Sequence, residues 1–425
     1  MSENNGSKDM KGATDKKKIS GACARVIDKY TEWIVFAFLL VISVVIRIKY
    51  APVVNNNNGL TDYNNFLGPW VEHYRTYGIV SGLKLGVGNY YIPYNVVLAL
   101  ISKLPIEPYY GIMAFSAVFD YIISIFTYKI VKLIVSSSSV KSVIKDKEIK
   151  VFAMGLTLLP IMVANSGIWK QCDSVYTGLI LVSVFFLLKR NYRLAFIMVG
   201  IGFTFKMQTI FILPFYVLVY LIRKDFSLLK FLWIPIIYLL GGLPAILCGR
   251  DILSTYTIYL HQTELHRQMC VNFPGIYHLG MENYNLFFWM AFVLLFVVFA
   301  FAYLRIRKYA EKMSQVDWLY LAGWSLFTCV EFLPAMHERY DYSAILFLTV
   351  LMLFFKRKLL IPVLAMHVIS ACTYSNCLYG AVPNMKLLAV VYFIVYCYVT
   401  YDLFKSLESE GEKKIEKQSP CENQY

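Results

Sequence analysis

The segment FFWMAFVLLFVVFAFAYL, residues 287–304, runs for eighteen residues without a charge. A helix with one face in water needs a polar stripe at every third or fourth position, and this segment has none. Its length suits the roughly 20 residues that cross a bilayer. In hydrocarbon the backbone has no water to bond, so such a run must be helical. Apolar runs fall at about 32–50, 109–135, 151–168, 173–189, 193–206, 207–222, 231–249, 284–304, 316–334, 341–355, 359–375 and 387–404. They predict an all-α polytopic membrane protein with about twelve transmembrane helices. The block 193–222 can also be read as one long broken helix. Composition agrees: 58% hydrophobic and 16% charged residues leave too little charge to coat a soluble chain of 425 residues.

Lysine and arginine set the orientation. With the N-terminus in the cytoplasm, segments 1–30, 129–150, 189–193, 223–230, 305–312, 356–358 and 405–425 carry 30 of the 41 basic residues. Turns such as KRNYR and RIRKYAEK are basic throughout, so both termini are expected inside. The net charge of +14 then belongs to the inner leaflet, which is anionic, and not to a nucleic-acid partner. Residues 1–30 are polar and lysine-rich and lack an apolar signal-peptide core. They read as a disordered cytoplasmic tail ahead of a single transmembrane domain, 31–404, with a second polar tail at 405–425. The nine cysteines are scattered and show no CxxC spacing, which excludes a disulfide framework or zinc site of recognisable pattern.

Two external loops remain, a long first one at 53–108 and a later one at 250–283. Ionisable groups in or beside a membrane span are costly, and so are candidates for function. These are Asp62, Asp120, Lys170, Asp173, Lys206, Glu331, His337, Glu338 and Arg339. Each has a plainer reading. Lys206 can snorkel, Asp173 can cap a helix, Asp120 can hydrogen-bond a neighbouring helix, Glu338 and Arg339 can be a surface pair, and Asp62 can be an ordinary loop residue. In the expected topology nearly all of them fall at the outer face, whereas scattered structural pairs would not choose one side.

Four segments resemble a known family: TDYNNFLGPW followed by YYIPY, WKQCDSVY, FTFKMQTIFILPF and MHERY. In order and spacing they are similar to the GT-C membrane glycosyltransferases that use polyprenyl-phosphate sugars. The nearest group looks like bacterial proteins related to the second mannosyltransferase of GPI-anchor synthesis. The resemblance spans about residues 60–345. It departs from the family at Lys170, where the W-G-Q turn carries glycine; this is expected to set an extra cation beside the site.

The resemblance implies a GT-C fold with its active site on the external face of the cell membrane. It implies a polyprenyl-phosphate-linked hexose donor, mannose-like, and a glycan or glycolipid acceptor, with inversion at the anomeric carbon. Asp62 matches the family's general base. A lipid phosphate leaves as a stable anion and needs no acid, so one carboxylate suffices where a glycosidase needs two. Lys206 and Arg339 are the implied cations for the phosphate, with Arg339 able to grip it as a fork. Gln208 and His337 would donate hydrogen bonds, and Glu338 would orient Arg339. Asp173 and Gln171 would bind sugar hydroxyls, and Asp120 and Tyr340 complete the substrate-binding set. No Asp-x-Asp metal motif is present, so no obligatory divalent cation or other cofactor is expected. The rival readings are a transporter or flippase of lipid-linked saccharide, and an O-antigen-type polymerase or ligase. The latter would carry essential arginines in a large late external loop, and 250–283 offers only Arg250 and Arg267.

Overall fold

The computed structural model describes residues 30–53, 62–137, 142–264 and 267–416. The tail expected at 1–30 lies, but for Tyr30, outside the described residues, as does the end of the second tail, 417–425. In chain order the helices are α1 (Tyr30–Tyr50), α2 (Gly68–Leu85), α3 (Ile92–Ile101), α4 (Pro108–Ser137), α5 (Ile149–Leu158) and α6 (Pro160–Ile168). Then come α7 (Asp173–Leu188), α8 (Tyr192–Phe205), α9 (Met207–Arg223), α10 (Leu228–Leu247) and the short α11 (Ile252–Tyr256) and α12 (Ile258–Glu264). The chain ends with α13 (Tyr284–Lys312), α14 (Gln315–Phe332), α15 (Tyr342–Phe354), α16 (Arg357–Tyr379) and α17 (Met385–Glu416). Among the described residues the strands are β1 (Cys270–Val271) and β2 (Met336–His337), paired in parallel.

Every apolar run of the sequence coincides with a helix, and the four extra helices come from the two external loops. Five helices, α1, α10, α13, α16 and α17, are long and apolar enough to cross a membrane. The α5–α6 pair makes a sixth if its 50° bend is one span. The chain is therefore an all-α, membrane-embedded protein. The bend falls at Pro160: Leu159 before it has ψ 135°, out of the helical region, as the proline ring requires. The ambiguity at 193–222 resolves into two helices, because Lys206 between them is extended at φ −151°, ψ 131°. The last helix runs past residue 404 to Glu416, into the polar tail.

The packing follows from which helices are apolar all round. α7, α14 and α15 are buried along nearly their whole length. Around them, α13 and α16 expose large apolar side chains such as Trp289, Phe296 and Ile361, the surface a lipid-facing helix presents. The basic connections gather at one end. Val143 N donates to Phe354 O at 2.8 Å, Ser137 Oγ to Gln315 Oε1 at 2.8 Å, and Lys358 pairs with Asp402 at 2.6 Å. The turns carrying the candidate site residues gather at the other.

Candidate functional site

Irregular or short backbone segments at five places aim side chains at one point. Asp62 leads into a single wide π-turn, Tyr63–Leu67, that feeds α2. A second π-turn, Val163–Ile168, closes α6 and presents Asn165 and Ser166; such turns recur at functional sites. The WKQCD turn then doubles back at Lys170, whose φ of 56° is left-handed, and delivers Asp173 to the first turn of α7. The extended break at Lys206 frees its side chain from α8. Finally, β2 is pinned to the later external loop: Ala335 N donates to Met269 O at 2.9 Å, and β1 pairs Val271 with His337.

The side chains form one charged cluster. Asp173, fully buried, takes an ion pair from Lys206, a hydrogen bond from Asn165 Nδ2 at 2.8 Å, and the Arg339 Nε at 3.5 Å. Arg339 also pairs with Glu338 through Nη1 and approaches Asp62 with Nη2 at 3.8 Å. Its guanidinium lies 5.1 Å from the Trp169 ring centroid, a cation–π contact. Asp62 accepts from Gln171 Nε2, and Gln171 Oε1 in turn accepts from Tyr90 OH at 3.4 Å. The cluster opposes two cations, Lys206 and Arg339, with three carboxylates. Asp62 is 30% exposed, against 0% for Asp173 and 3% for Glu338. It alone among the three is open to an incoming molecule.

Burial by itself would raise the Glu338 carboxyl, but the Arg339 guanidinium and His337 outweigh it and hold the group at about 2. Burial likewise works against the Arg339 cation, and Glu338, Asp62 and Asp173 more than offset it, so its pKa rises. The pair is ionised throughout the physiological range.

A cavity of about 900 Å³ opens over the cluster. Asp62, Gln171, Lys206, Gln208, His337, Glu338, Arg339 and Tyr340 line one side, and Tyr284, Phe288 and Phe292 of α13 line another. Gln208 is buried, with its Oε1 unpartnered. The volume and the mix of an apolar wall with a few convergent polar groups are those of a small-molecule site. Among the described residues, no three His, Cys, Asp or Glu side chains converge as a metal site.

Three expectations need correction. Asp120 does not reach the cavity. It is fully buried and bound by Arg47 Nη2 at 2.8 Å, Ser166 Oγ at 2.6 Å and Tyr342 OH at 3.3 Å, so it locks α4 to α1, α6 and α15. Asp173 has its oxygens facing Lys206, Asn165 and Arg339, and so holds the cations in place; it is fully buried and is not part of the cavity lining. Lys170 adds no cation to the cavity: its Nζ turns away and donates to the backbone carbonyls of Val53 and Ile168. There burial pulls the ammonium pKa down to about 7. Glu331 is buried in α14 and is no part of the cavity lining.

The structure also adds residues. Arg47 sits three positions from the end of an apolar run, where an arginine reads as snorkelling. Asn165 and Ser166 stand as a polar pair inside MVANSGIW, a signal that was available just before the WKQCD turn. Tyr90 and Trp169 had none beyond the aromatic richness common to membrane interfaces. No family model matches the chain, and no curated protein matches it.

Proposed function

We propose that this protein is an integral-membrane glycosyltransferase of GT-C type. It transfers a mannose-like hexose from a polyprenyl-phosphate donor to a lipid-linked or cell-envelope glycan, with Asp62 as general base. What supports this reading is convergence. The four segments that carry the resemblance are separated by long stretches of chain, yet Asp62, Gln171, Lys206, Gln208 and Arg339 line one cavity. The Lys170 position fits as well: where the resembling turn carries glycine, the backbone is left-handed, the conformation glycine adopts without penalty.

In this mechanism the ionised Asp62 takes the proton of an acceptor hydroxyl as its oxygen attacks the anomeric carbon. The bond from that carbon to the phosphate oxygen breaks, and its electron pair leaves with the lipid phosphate. The configuration inverts, and the proton remains on Asp62 until solvent removes it. Gln171 and Arg339 fix the carboxylate's direction, and Glu338 and Asp173 fix Arg339. Negative charge develops on the leaving phosphate and is stabilised by a cation of the cavity wall. No divalent cation is required by these steps.

The same reading takes twelve spans, with α4, α14 and the shorter apolar helices crossing alongside the six. It puts both termini in the cytoplasm and the cavity on the external face of the cell membrane. The test is transfer of labelled sugar from polyprenyl-phosphate mannose or glucose to a lipid-linked acceptor in proteoliposomes. Asp62→Asn is expected to lose at least about 10²-fold in rate, the low end for a general base, with donor binding retained. Transfer by the variant at the wild-type rate would refute the assignment.

A further inference from the structure

The charges that face the cavity do not favour an anion where the cluster lies. Lys206 is committed to Asp173, and Arg339 bonds Glu338 through Nη1 and lies 3.5 Å from Asp173 and 3.8 Å from Asp62. With two cations against three carboxylates, a phosphate placed there meets no uncompensated positive charge.

Arg267 is different. It lines the same cavity and is exposed, and among the described residues it has no carboxylate within ion-pair distance. Its place is fixed by its neighbour: Gln268 O accepts from Ala335 N at 3.1 Å, which ties this loop to the strand carrying His337. An exposed, unpaired guanidinium keeps its full fork for an oxyanion.

The apolar wall of the cavity has its own direction. Tyr284, Phe288 and Phe292 repeat every four residues and so share one face of α13. Successive ring centroids are 4.9 and 5.2 Å apart. Beside this face α13 exposes Trp289 and Phe296 at its apolar surface. The stripe therefore leads from the cavity along a helix long and apolar enough to cross a membrane.

We propose that Arg267 is the phosphate-binding residue of the cavity, and that its ligand is a lipid phosphate, the donor's diester before transfer and the monoester it leaves behind, whose hydrocarbon lies along Tyr284, Phe288 and Phe292. This rests on the glycosyltransferase reading and names the contact that reading leaves open. It also moves phosphate recognition from Arg339 to the later external loop, and leaves Arg339 as the residue that positions Asp62.

The test is binding, without turnover. The full chain in phosphatidylcholine nanodiscs is titrated with farnesyl phosphate, farnesol and inorganic phosphate. Farnesyl phosphate is expected to bind the wild type, to bind Arg267→Gln at least about tenfold more weakly, and to recover in part with Arg267→Lys. Farnesol is expected to bind wild type and variant alike, and inorganic phosphate to bind far more weakly than the ester. Arg267 is exposed, so the variants are expected to keep the wild-type unfolding midpoint. Equal affinity of wild type and Arg267→Gln for farnesyl phosphate overturns the assignment of Arg267 and leaves the glycosyltransferase reading standing. Inorganic phosphate binding as tightly as the ester overturns the lipid half of the proposal. Failure of farnesyl phosphate to bind the wild type overturns the proposal, whereas the donor class is read separately, from transfer of labelled sugar by the wild type.

Discussion

Replacing Arg47 by methionine removes one partner of a buried ion pair and leaves the other in place. Arg47 is 1% exposed and Asp120 0%. The guanidinium bonds Asp120 Oδ2 through Nε at 3.1 Å and Nη2 at 2.8 Å, Ser166 Oγ at 3.0 Å, Thr157 O at 2.8 Å and Ser43 Oγ at 2.7 Å. In Arg47→Met, Asp120 keeps only the hydroxyls of Ser166 and Tyr342. Breaking a buried pair from one side costs about 3–5 kcal/mol, while replacing both partners by apolar groups is often neutral. The double variant Arg47→Met/Asp120→Leu is thus expected to be more stable than Arg47→Met alone. It still gives up the bond to Thr157 O, worth about 1 kcal/mol. Stability can be read from unfolding in mixed detergent micelles, followed by circular dichroism across the two singles and the double. The expected coupling is about 2 kcal/mol or more, within the range for directly bonded residues. Two results would refute the reasoning: single effects that simply add, or a cost for Arg47→Met below about 1 kcal/mol. If Asp120 serves packing and no substrate, any folded variant of the pair keeps the wild-type KM for donor.

Two further expectations concern the turns. Glu338 is held at about 2 against an ordinary 4.5, so its stabilising contribution is complete above about pH 4.5 and is lost as pH falls toward 2. The stability gap between wild type and Glu338→Gln should be flat from pH 8 to pH 5 and close only below that, measured by unfolding midpoints across pH. Lys170→Gly removes a left-handed non-glycine residue, a relief of about 1–2 kcal/mol, at the loss of two buried hydrogen bonds of about 1 kcal/mol each, so near-neutral stability is expected above about pH 10.5, where the amine is neutral folded and unfolded, and a gain for the variant at pH 7. The Lys170 ammonium sits at about 7 in the fold against 10.5 when free, so the unfolded chain binds the extra proton between those values. Wild type should therefore gain on Lys170→Gly as pH rises through that window; a pH-independent difference would show the ammonium to be solvated.

The helices were legible because an apolar run of this length has one solution in a membrane. All twelve runs became helices, and even the doubtful block 193–222 was cut where a lysine interrupts it. The clustering of the site was legible too, since Asp62, Asp173, Lys206 and Arg339 fell on one face before any geometry was known. Partnership was not. Arg47 and Asp120 are 73 residues apart, and each alone has an ordinary local explanation. Lys170 read as an added cation because its charge is visible in sequence and its φ is not; the left-handed backbone turns the side chain away from the cavity. Arg267 was discounted as one of too few loop arginines, although what distinguishes it is that no carboxylate among the described residues pairs with it, which no sequence displays.

The partners of Asp173 within the cluster were not legible for a related reason. From sequence, three carboxylates and two cations look like a base, a sugar contact, a group that orients Arg339 and a phosphate clamp. In the fold their chemistry is set by who faces whom. Asp173 and Glu338 are consumed in fixing Lys206 and Arg339, and Arg339 is thereby held rigidly against Asp62. A guanidinium bonded to Glu338 and flanked by Asp173 and Asp62 cannot swing to follow a substrate without leaving a buried carboxylate unpaired, a loss of several kcal/mol. The cluster is therefore a frame, and a frame is what a base needs if its carboxylate must point at one hydroxyl. The exposed Asp62 is its working edge. On the proposed reading, selection of the anion then belongs to Arg267 on the later external loop.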